Sequence, residues 1–128
     1  MKTRVLSAQA PAPIGPYNQG IIASGTFVYV SGQLPLSNGA IVGTNITDQT
    51  EQSLKNIGYI LTEAGFSFGD VVKTTVYLSD MDDFADMNVV YAAFFAGTVF
   101  PARVAFQVGR LPMDALVEIE AIAVKDVC

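Results

Sequence analysis

An arginine and a glutamate near the end of the chain are residue types that could perform chemistry together. Arg103 opens the run 103–108, Glu118 lies in the run 116–124, and both runs have the composition of β-strands. An arginine can hold a carboxylate or another planar anion through two parallel hydrogen bonds, and a glutamate can transfer protons to and from water. The chain has no histidine, so acid–base chemistry must fall to carboxylates, tyrosines, lysines or bound water. We therefore predict that Arg103 and Glu118, on neighbouring strands, meet in one solvent-reachable cleft between chains.

The last predicted strand carries two carboxylates on one face. Alternation places Glu118 and Glu120 together, opposite the apolar residues between them, which should pack on helices. Two acids that face an interface are costly unless they are paired, and Arg103 or Arg110 could pair with them. From spacing alone, ordinary ion pairs on a wet sheet face are the favoured interpretation, because structural pairs far outnumber catalytic ones.

Length and composition limit the class of protein. The 128 residues fit a single domain, and we assign residues 1–128 to it because no linker or internal repeat appears. Apolar residues make up 51% of the chain and charged residues only 15%, so apolar surface should remain for an interface with a second copy. The net charge of −5 and the absence of a basic run argue against nucleic-acid binding.

The compartment is constrained by what the sequence lacks. The single cysteine is Cys128, which predicts no internal disulfide and no cysteine-based metal cluster. The N-terminal residues have no apolar signal core, and no run approaches the length of a membrane span. We expect a cytoplasmic protein that does not enter a membrane, and we leave an organelle such as the mitochondrion open.

The elements that must position the chemistry follow the order ββαβαββ. A proline-rich loop at residues 10–16 precedes a predicted hairpin of strands 18–23 and 27–31. An amphipathic helix, capped by Asn45 or Thr47, should run to about Ala64 and end at Gly65. A strand at 71–78, a second helix at about 84–95 and the two final strands complete the chain.

This order predicts an α+β fold: one mixed β-sheet with both helices packed on one face. The free face of the sheet would need a cover, and a partner subunit is the obvious one. The acids Asp80, Asp82 and Asp83 fit a helix start better than a calcium loop, because they lack the glycine and the final glutamate of an EF-hand. We predict no metal site.

Seven sequence blocks spread over nearly the whole chain carry a further signal. They are IGPYNQG at 14–20, VSGQ at 30–33, GDVVKTTVY at 69–77, MNVVY at 87–91, PAR at 101–103, RLP at 110–112 and VEIEAIA at 117–123. Together, and in this order, they resemble the RidA/YjgF family of imine deaminases. The resemblance implies a chorismate-mutase-like fold and a homotrimer with a pocket at each of three subunit interfaces. It implies no cofactor and no metal.

The activity that the resemblance implies is hydrolysis of reactive 2-imino acids, such as 2-iminobutanoate and 2-iminopropanoate, to 2-keto acids and ammonia. Arg103 matches the arginine that binds the substrate carboxylate, and Glu118 matches the glutamate proposed to activate water. The other residues that match the substrate pocket are Tyr17, Ser31, Gly32, Phe84, Met87 and Asn88.

Structural roles compete with this interpretation at several positions. Tyr17 could be a packing residue, Ser31 a turn hydroxyl, and Asn88 a side chain that bonds helix carbonyls. Ala105 stands where many family members carry a cysteine, so thiol-dependent regulation of the pocket is not expected. The competing functional hypothesis is a non-enzymatic trimer that binds small carboxylates or acts as a chaperone.

Overall fold

The structure is a computed structural model, and it describes residues 1–126. Its strands are β1 (Lys2–Val5), β2 (Gly20–Ala23), β3 (Thr26–Gln33), β4 (Leu36–Ser37), β5 (Ala40–Ile41), β6 (Val71–Leu78), β7 (Ala102–Gln107) and β8 (Val117–Lys125). Its two α-helices are α1 (Ile46–Glu63) and α2 (Phe84–Phe94). The prediction made for Cys128 lies outside the described residues.

A mixed four-stranded sheet, in the order β3-β8-β6-β7, forms the frame of the molecule. Strand β7 runs parallel to β6, whereas β8 is antiparallel to both β3 and β6. The buried side chains of the sheet and of both helices form one core, so the predicted α+β architecture with the two helices on one face is confirmed.

The two final strands are not neighbours, which corrects the sequence prediction. Strand β6 lies between β7 and β8 and pairs with each of them. The physical reason is the helix between β6 and β7, because such a crossover returns the chain parallel to the strand that it left. Strand β8 then takes the other side of β6.

The predicted hairpin of residues 18–23 and 27–31 is also wrong. Strand β2 pairs with β1 in a separate two-stranded sheet, and β3 pairs with β8. Gly25, between β2 and β3, has a φ of +136°, and a Cβ there would lie 2.5 Å from the Lys125 carbonyl oxygen. The connection between β2 and β3 therefore packs closely against the end of β8, and only a glycine has the φ and the small size that this contact needs. The contact joins segments distant in sequence, so the residues of the turn could not predict it.

Helix α1 has the ends that the sequence predicts. Of the two predicted caps, Asn45 is the one used, because its Oδ1 accepts a hydrogen bond of 2.8 Å from the Asp48 N–H. Gly65 follows the C-terminal cap Ala64 with a φ of +82°. Neither α1 nor α2 combines the length and the hydropathy of a membrane-spanning helix.

The acidic run before α2 forms a short 3₁₀ turn at Met81–Asp83. The side chain of Asp80 accepts a hydrogen bond of 2.9 Å from the Asp82 N–H, so this run starts a helix, as predicted. Residues 1–126 contain no group of three or more histidine, cysteine, aspartate or glutamate side chains arranged to hold a metal ion.

The face of the sheet opposite the helices is uncovered within one chain. Large apolar side chains stand exposed there, and the rings of Phe27 and Tyr29 stack on each other at a centroid distance of 6.0 Å. Val104 and Phe106 of β7 are exposed on the same face. We call this surface the open face.

Candidate active site

The guanidinium of Arg103 lies against α2, half-buried. Arg103 pairs with Thr74 in the β6–β7 register, and Thr74 faces the helices. Its Nη1 donates a hydrogen bond of 2.7 Å to the Asn88 Oδ1 and lies 3.9 Å from the Met87 sulfur. Three aromatic rings surround its Cζ, at centroid distances of 5.5 Å for Tyr17, 5.7 Å for Phe84 and 4.8 Å for Tyr91.

The positive charge of Arg103 has no counter-ion in the part of the chain that the structure describes. The ion pairs found there join other groups, and no carboxylate lies within 4.0 Å of this guanidinium. Burial lowers the pKa of Arg103, yet a guanidinium keeps its proton at neutral pH. A half-buried cation without a partner favours the binding of an anion.

A cavity of about 230 Å³ opens in front of this guanidinium. We call it the arginine pocket; it is lined by Ile14, Tyr17, Phe84, Arg103, Val104 and Ala105. Gly15 stands beside it, and a Cβ at this position would lie 3.2 Å from the Arg103 Nη2. Because Gly15 has no side chain, the Arg103 guanidinium can occupy this position without a close contact. The pocket suits a small anion with an apolar side chain.

Glu118 lies in a second cavity, of about 330 Å³, on the open face. We call it the glutamate pocket; it is lined by Gly32, Tyr77, Val108, Arg110, Leu111 and Pro112 around Glu118 and Glu120. No hydrogen-bond partner of the Glu118 carboxylate is found within residues 1–126. This carboxylate is free to act on a water molecule.

A β-bulge positions Gly32 against this carboxylate. The β3–β8 register shifts between Val30 and Gln33, so Ser31 and Gly32 bulge from the strand. A Cβ on Gly32 would overlap the Glu118 carboxylate, which only glycine avoids at this position. Ser31 is exposed, and its carbonyl accepts a hydrogen bond of 3.2 Å from the Gln33 side chain.

Glu120 has a different partner from the one predicted. The Tyr77 hydroxyl donates a hydrogen bond to Glu120, and this bond raises the pKa of Tyr77. Arg110 instead pairs with Asp114 at 2.8 Å within its own exposed turn. The suggested pairing of the two glutamates with Arg103 or Arg110 is therefore not formed among residues 1–126 of a single chain, where Glu120 is instead held by a bond across the sheet.

Arg103 and Glu118 do not meet within one chain. Their register partners on β6, Thr74 and Tyr77, are three residues apart and therefore on opposite faces of the sheet. The prediction that neighbouring strands bring the pair together is wrong for a single chain. The pair can share a cleft only if two chains contribute to it.

The other predicted residues divide between the two pockets. The arginine side collects Tyr17, Phe84, Met87 and Asn88, and the glutamate side collects Ser31 and Gly32. Sequence reasoning missed Gly15 and Tyr91 as part of the site. A signal for Tyr91 existed, because Phe84, Met87 and Tyr91 recur at helical spacing on one face of α2.

The sequence matches a known protein family over nearly its whole length. The family model described as "Endoribonuclease L-PSP" matches residues 7–125. The chain belongs to this family, the RidA/YjgF family. A RutC family protein of Pyrococcus horikoshii is 55% identical over 128 residues, which cover 98% of this chain and 100% of that protein.

Two further relatives of this RidA/YjgF chain bear on function and fold. The 2-iminobutanoate/2-iminopropanoate deaminase of Mus musculus is 47% identical over 123 residues, 94% of this chain and 90% of that protein. The crystal structure of E. coli TdcF with bound serine has a TM-score of 0.76 and 42% identity, covering 97% and 99% of the two chains. The chorismate-mutase-like fold of the RidA/YjgF family is thus confirmed here.

Proposed function

We propose that this chain hydrolyses reactive 2-imino acids, such as 2-iminobutanoate and 2-iminopropanoate, to 2-keto acids and ammonia. The observation that carries the proposal is the half-buried Arg103 guanidinium, which has no counter-ion among the described residues and faces a small apolar-walled pocket. A short carboxylate with an aliphatic side chain fits this combination of charge and wall. The name of the mouse relative supports the reaction, and the serine bound to TdcF is another small molecule with a carboxylate, although its side chain is a polar hydroxymethyl group.

We further propose that the working form is a homotrimer in which Glu118 of one chain completes the arginine pocket of its neighbour. Two observations support this assembly. The two pockets lie on opposite faces of one sheet, so one chain cannot supply both groups to one ligand. The open face carries exposed aromatic side chains whose burial against another copy would stabilise an oligomer.

The mechanism follows from the two pockets. Arg103 holds the substrate carboxylate, while Asn88 occupies one guanidinium nitrogen and fixes its direction. Water adds to the carbon of the protonated imine as Glu118 takes one of its protons. The same carboxylate returns the proton to the nitrogen and then takes the hydroxyl proton as the carbon–nitrogen bond breaks, so that ammonia departs and a 2-keto acid remains. Tyr17 and Phe84 would wall the substrate side chain, and no step involves a cofactor or a metal ion.

The proposal is tested with imine generated in place. A dehydratase acting on threonine supplies 2-iminobutanoate, and semicarbazide traps the imine that escapes hydrolysis. We expect wild type to suppress trapping, and Arg103→Ala to lose this activity by roughly 100-fold because the substrate is no longer oriented. Arg4→Ala removes an exposed arginine from β1 and serves as the control. Equal rates for wild type and Arg103→Ala would refute the enzymatic proposal.

A binding function without turnover is the second candidate. The arginine pocket alone, without Glu118, already offers a cation and an apolar wall to a small carboxylate. In that case 2-ketobutyrate should raise the melting temperature by mass action while imine is not consumed. Under the enzymatic proposal, Glu118→Gln loses turnover by roughly 10²–10⁴-fold and keeps ligand binding.

Cleavage of RNA is not proposed, although the description of the family model names an endoribonuclease. The net charge of −5 would repel phosphate backbones over most of the surface. A fluorescence-anisotropy titration with labelled RNA at low salt should therefore give no binding, and salt-sensitive binding would contradict this expectation.

A further inference from the structure

Tyr91 and Thr74 form a polar pair inside an otherwise apolar core. Their hydroxyl oxygens lie 2.6 Å apart, and the two residues are 0% and 1% exposed. Phenylalanine and valine would fill nearly the same volume without any polar atom to satisfy. A buried hydroxyl pair contributes little net stability compared with such apolar replacements. The pair therefore invites a role beyond packing.

The ring of Tyr91 lies against the guanidinium of Arg103. Its centroid is 4.8 Å from Cζ, closer than the rings of Tyr17 and Phe84. Thr74, which holds the far end of the ring, is also the register partner of Arg103 on β6. Helix α2 and two paired strands thus fix the ring and the guanidinium relative to each other.

We propose that Tyr91, anchored by Thr74, is a positioning residue that holds the guanidinium of Arg103 in its ligand-binding orientation. Asn88 constrains one edge of the guanidinium at Nη1, and the aromatic ring constrains its face. Together, the edge and the face define how the remaining N–H groups point into the arginine pocket. A long arginine side chain held in this way loses less freedom when a carboxylate binds. The consequence for catalysis rests on the proposed function.

The charge state of the phenol agrees with this role. Burial raises the pKa of Tyr91 to about 12, so its ring is neutral at physiological pH. A neutral ring attracts the guanidinium through its electron-rich face. It adds no negative charge that would neutralise the cation or repel the carboxylate of an incoming ligand.

The proposal can be tested without any substrate. The chain has three arginines, Arg4, Arg103 and Arg110, so ¹⁵N-arginine labelling gives a simple spectrum of side-chain Nε–H groups. The Arg103 signal is assigned by its loss in Arg103→Lys. In wild type we expect this signal to be displaced by the aromatic ring current and protected from exchange with water.

Removal of the ring should release the guanidinium. In Tyr91→Leu the Arg103 signal should move towards those of the two exposed arginines and exchange faster. Phe95→Leu is the matched control, because it removes another buried ring, 4.7 Å from Tyr91, that is not among the rings around Arg103. An unchanged Arg103 signal in Tyr91→Leu, or an equal change in Phe95→Leu, would overturn the proposal.

Two milder variants keep the test sharp if Tyr91→Leu does not fold. Tyr91→Phe retains the ring but not its anchor, and Thr74→Val removes the anchor alone. Both should broaden the Arg103 signal without moving it fully. A sharp, wild-type signal in both variants would show that the anchor is irrelevant and overturn the role given to Thr74.

Ligand binding separates this inference from the proposed function. Tyr91→Leu should weaken 2-ketobutyrate binding by about 2- to 12-fold, because an Arg103 side chain that is no longer held must be ordered when the ligand binds, whereas Phe95→Leu should bind like wild type. If wild type neither binds 2-ketobutyrate nor hydrolyses imine, the proposed function fails. The Nε–H shifts then still decide whether Tyr91 positions Arg103.

Discussion

At the scale of single residues, the absence of a side chain at Gly32 allows the carboxylate of Glu118, the proposed base, to occupy its position. Gly32→Ala should push the Glu118 carboxylate away, because the new Cβ would occupy its position. We expect imine hydrolysis to fall by roughly 100-fold. The melting temperature should hardly change, since the displaced atoms form the far end of a flexible side chain.

The control for this prediction is Gly109→Ala. A Cβ at Gly109 meets no atom within 4 Å, so this variant should keep both activity and stability. Full activity in Gly32→Ala, measured beside this control, would contradict the role assigned to the Glu118 carboxylate.

The buried phenol of Tyr91 predicts how stability depends on pH. Its pKa is raised to about 12, whereas in the unfolded chain it returns to roughly 10. The unfolded state therefore loses the proton first as pH rises. This contribution to stability is complete below about pH 10, declines by roughly 1.4 kcal/mol per pH unit, and is gone above about pH 12.

Urea unfolding at a series of pH values from about 8 to about 11.5 measures this effect. Tyr91→Phe has no phenol at this position and should show a shallower alkaline loss than wild type. Tyr77, whose pKa is raised by its bond to Glu120, adds a loss of the same sign in both proteins. Identical slopes for the two proteins would contradict the assignment to Tyr91.

The sequence predicted most of the residues that surround Arg103, but it did not predict where Glu118 lies relative to them. The motif positions Tyr17, Phe84, Asn88 and Arg103 do converge, because a short loop and one face of α2 bring them together. The place of Glu118 relative to them could not be predicted, since alternation fixes faces within a strand only. Which face meets which depends on the register between strands, and this is set by non-local pairing.

At the scale of elements, the N-terminus of α1 depends on one side chain. Asn45→Ala removes the acceptor of the Asp48 N–H and should lower the free energy of unfolding by about 1 kcal/mol. Chemical denaturation measures this loss. Asn45→Ser keeps a capping oxygen and should recover most of it. Equal losses in the two variants would mean that the cap itself contributes nothing.

Elements with local signals were predicted well, and strand partners were not. Helix α1 carries its cap, its apolar face and its terminal glycine within its own sequence. The bounds of strand β6 at residues 71–78 were also predicted correctly, because its signals lie within its own sequence and in the turn before it. The pairing of β2 with β1, and the insertion of β6 between β7 and β8, depend on segments distant in sequence. Turn chemistry alone contains no information about them.

At the scale of the whole molecule, the open face predicts self-association. Tyr29→Glu places a charge among apolar side chains on this face, where the tyrosine is 72% exposed in the single chain. We expect the oligomer to dissociate, because a buried unpaired carboxylate is costly. Light scattering coupled to size-exclusion chromatography measures the change in mass.

Tyr59→Glu provides the matched control. Tyr59 is 65% exposed on α1, a helix that packs on the face of the sheet opposite to the open face, so its replacement should leave the mass unchanged. If Tyr29→Glu keeps the mass of wild type, the open face is not the interface. The sequence indicated an interface through its high apolar and low charged content, but not which strands would form it.

The placement of the arginine pocket and the glutamate pocket on opposite sides of one sheet has a genetic consequence. In the proposed trimer, two defective polypeptides should rescue each other, since Arg103→Ala would damage only one half of each shared site and Glu118→Gln only the other. Refolding the two inactive proteins together in equal amounts should restore activity, with roughly a quarter of the sites in a random trimer built from two intact halves. A heterozygous cell that carries both alleles would then retain a function that neither allele supports alone.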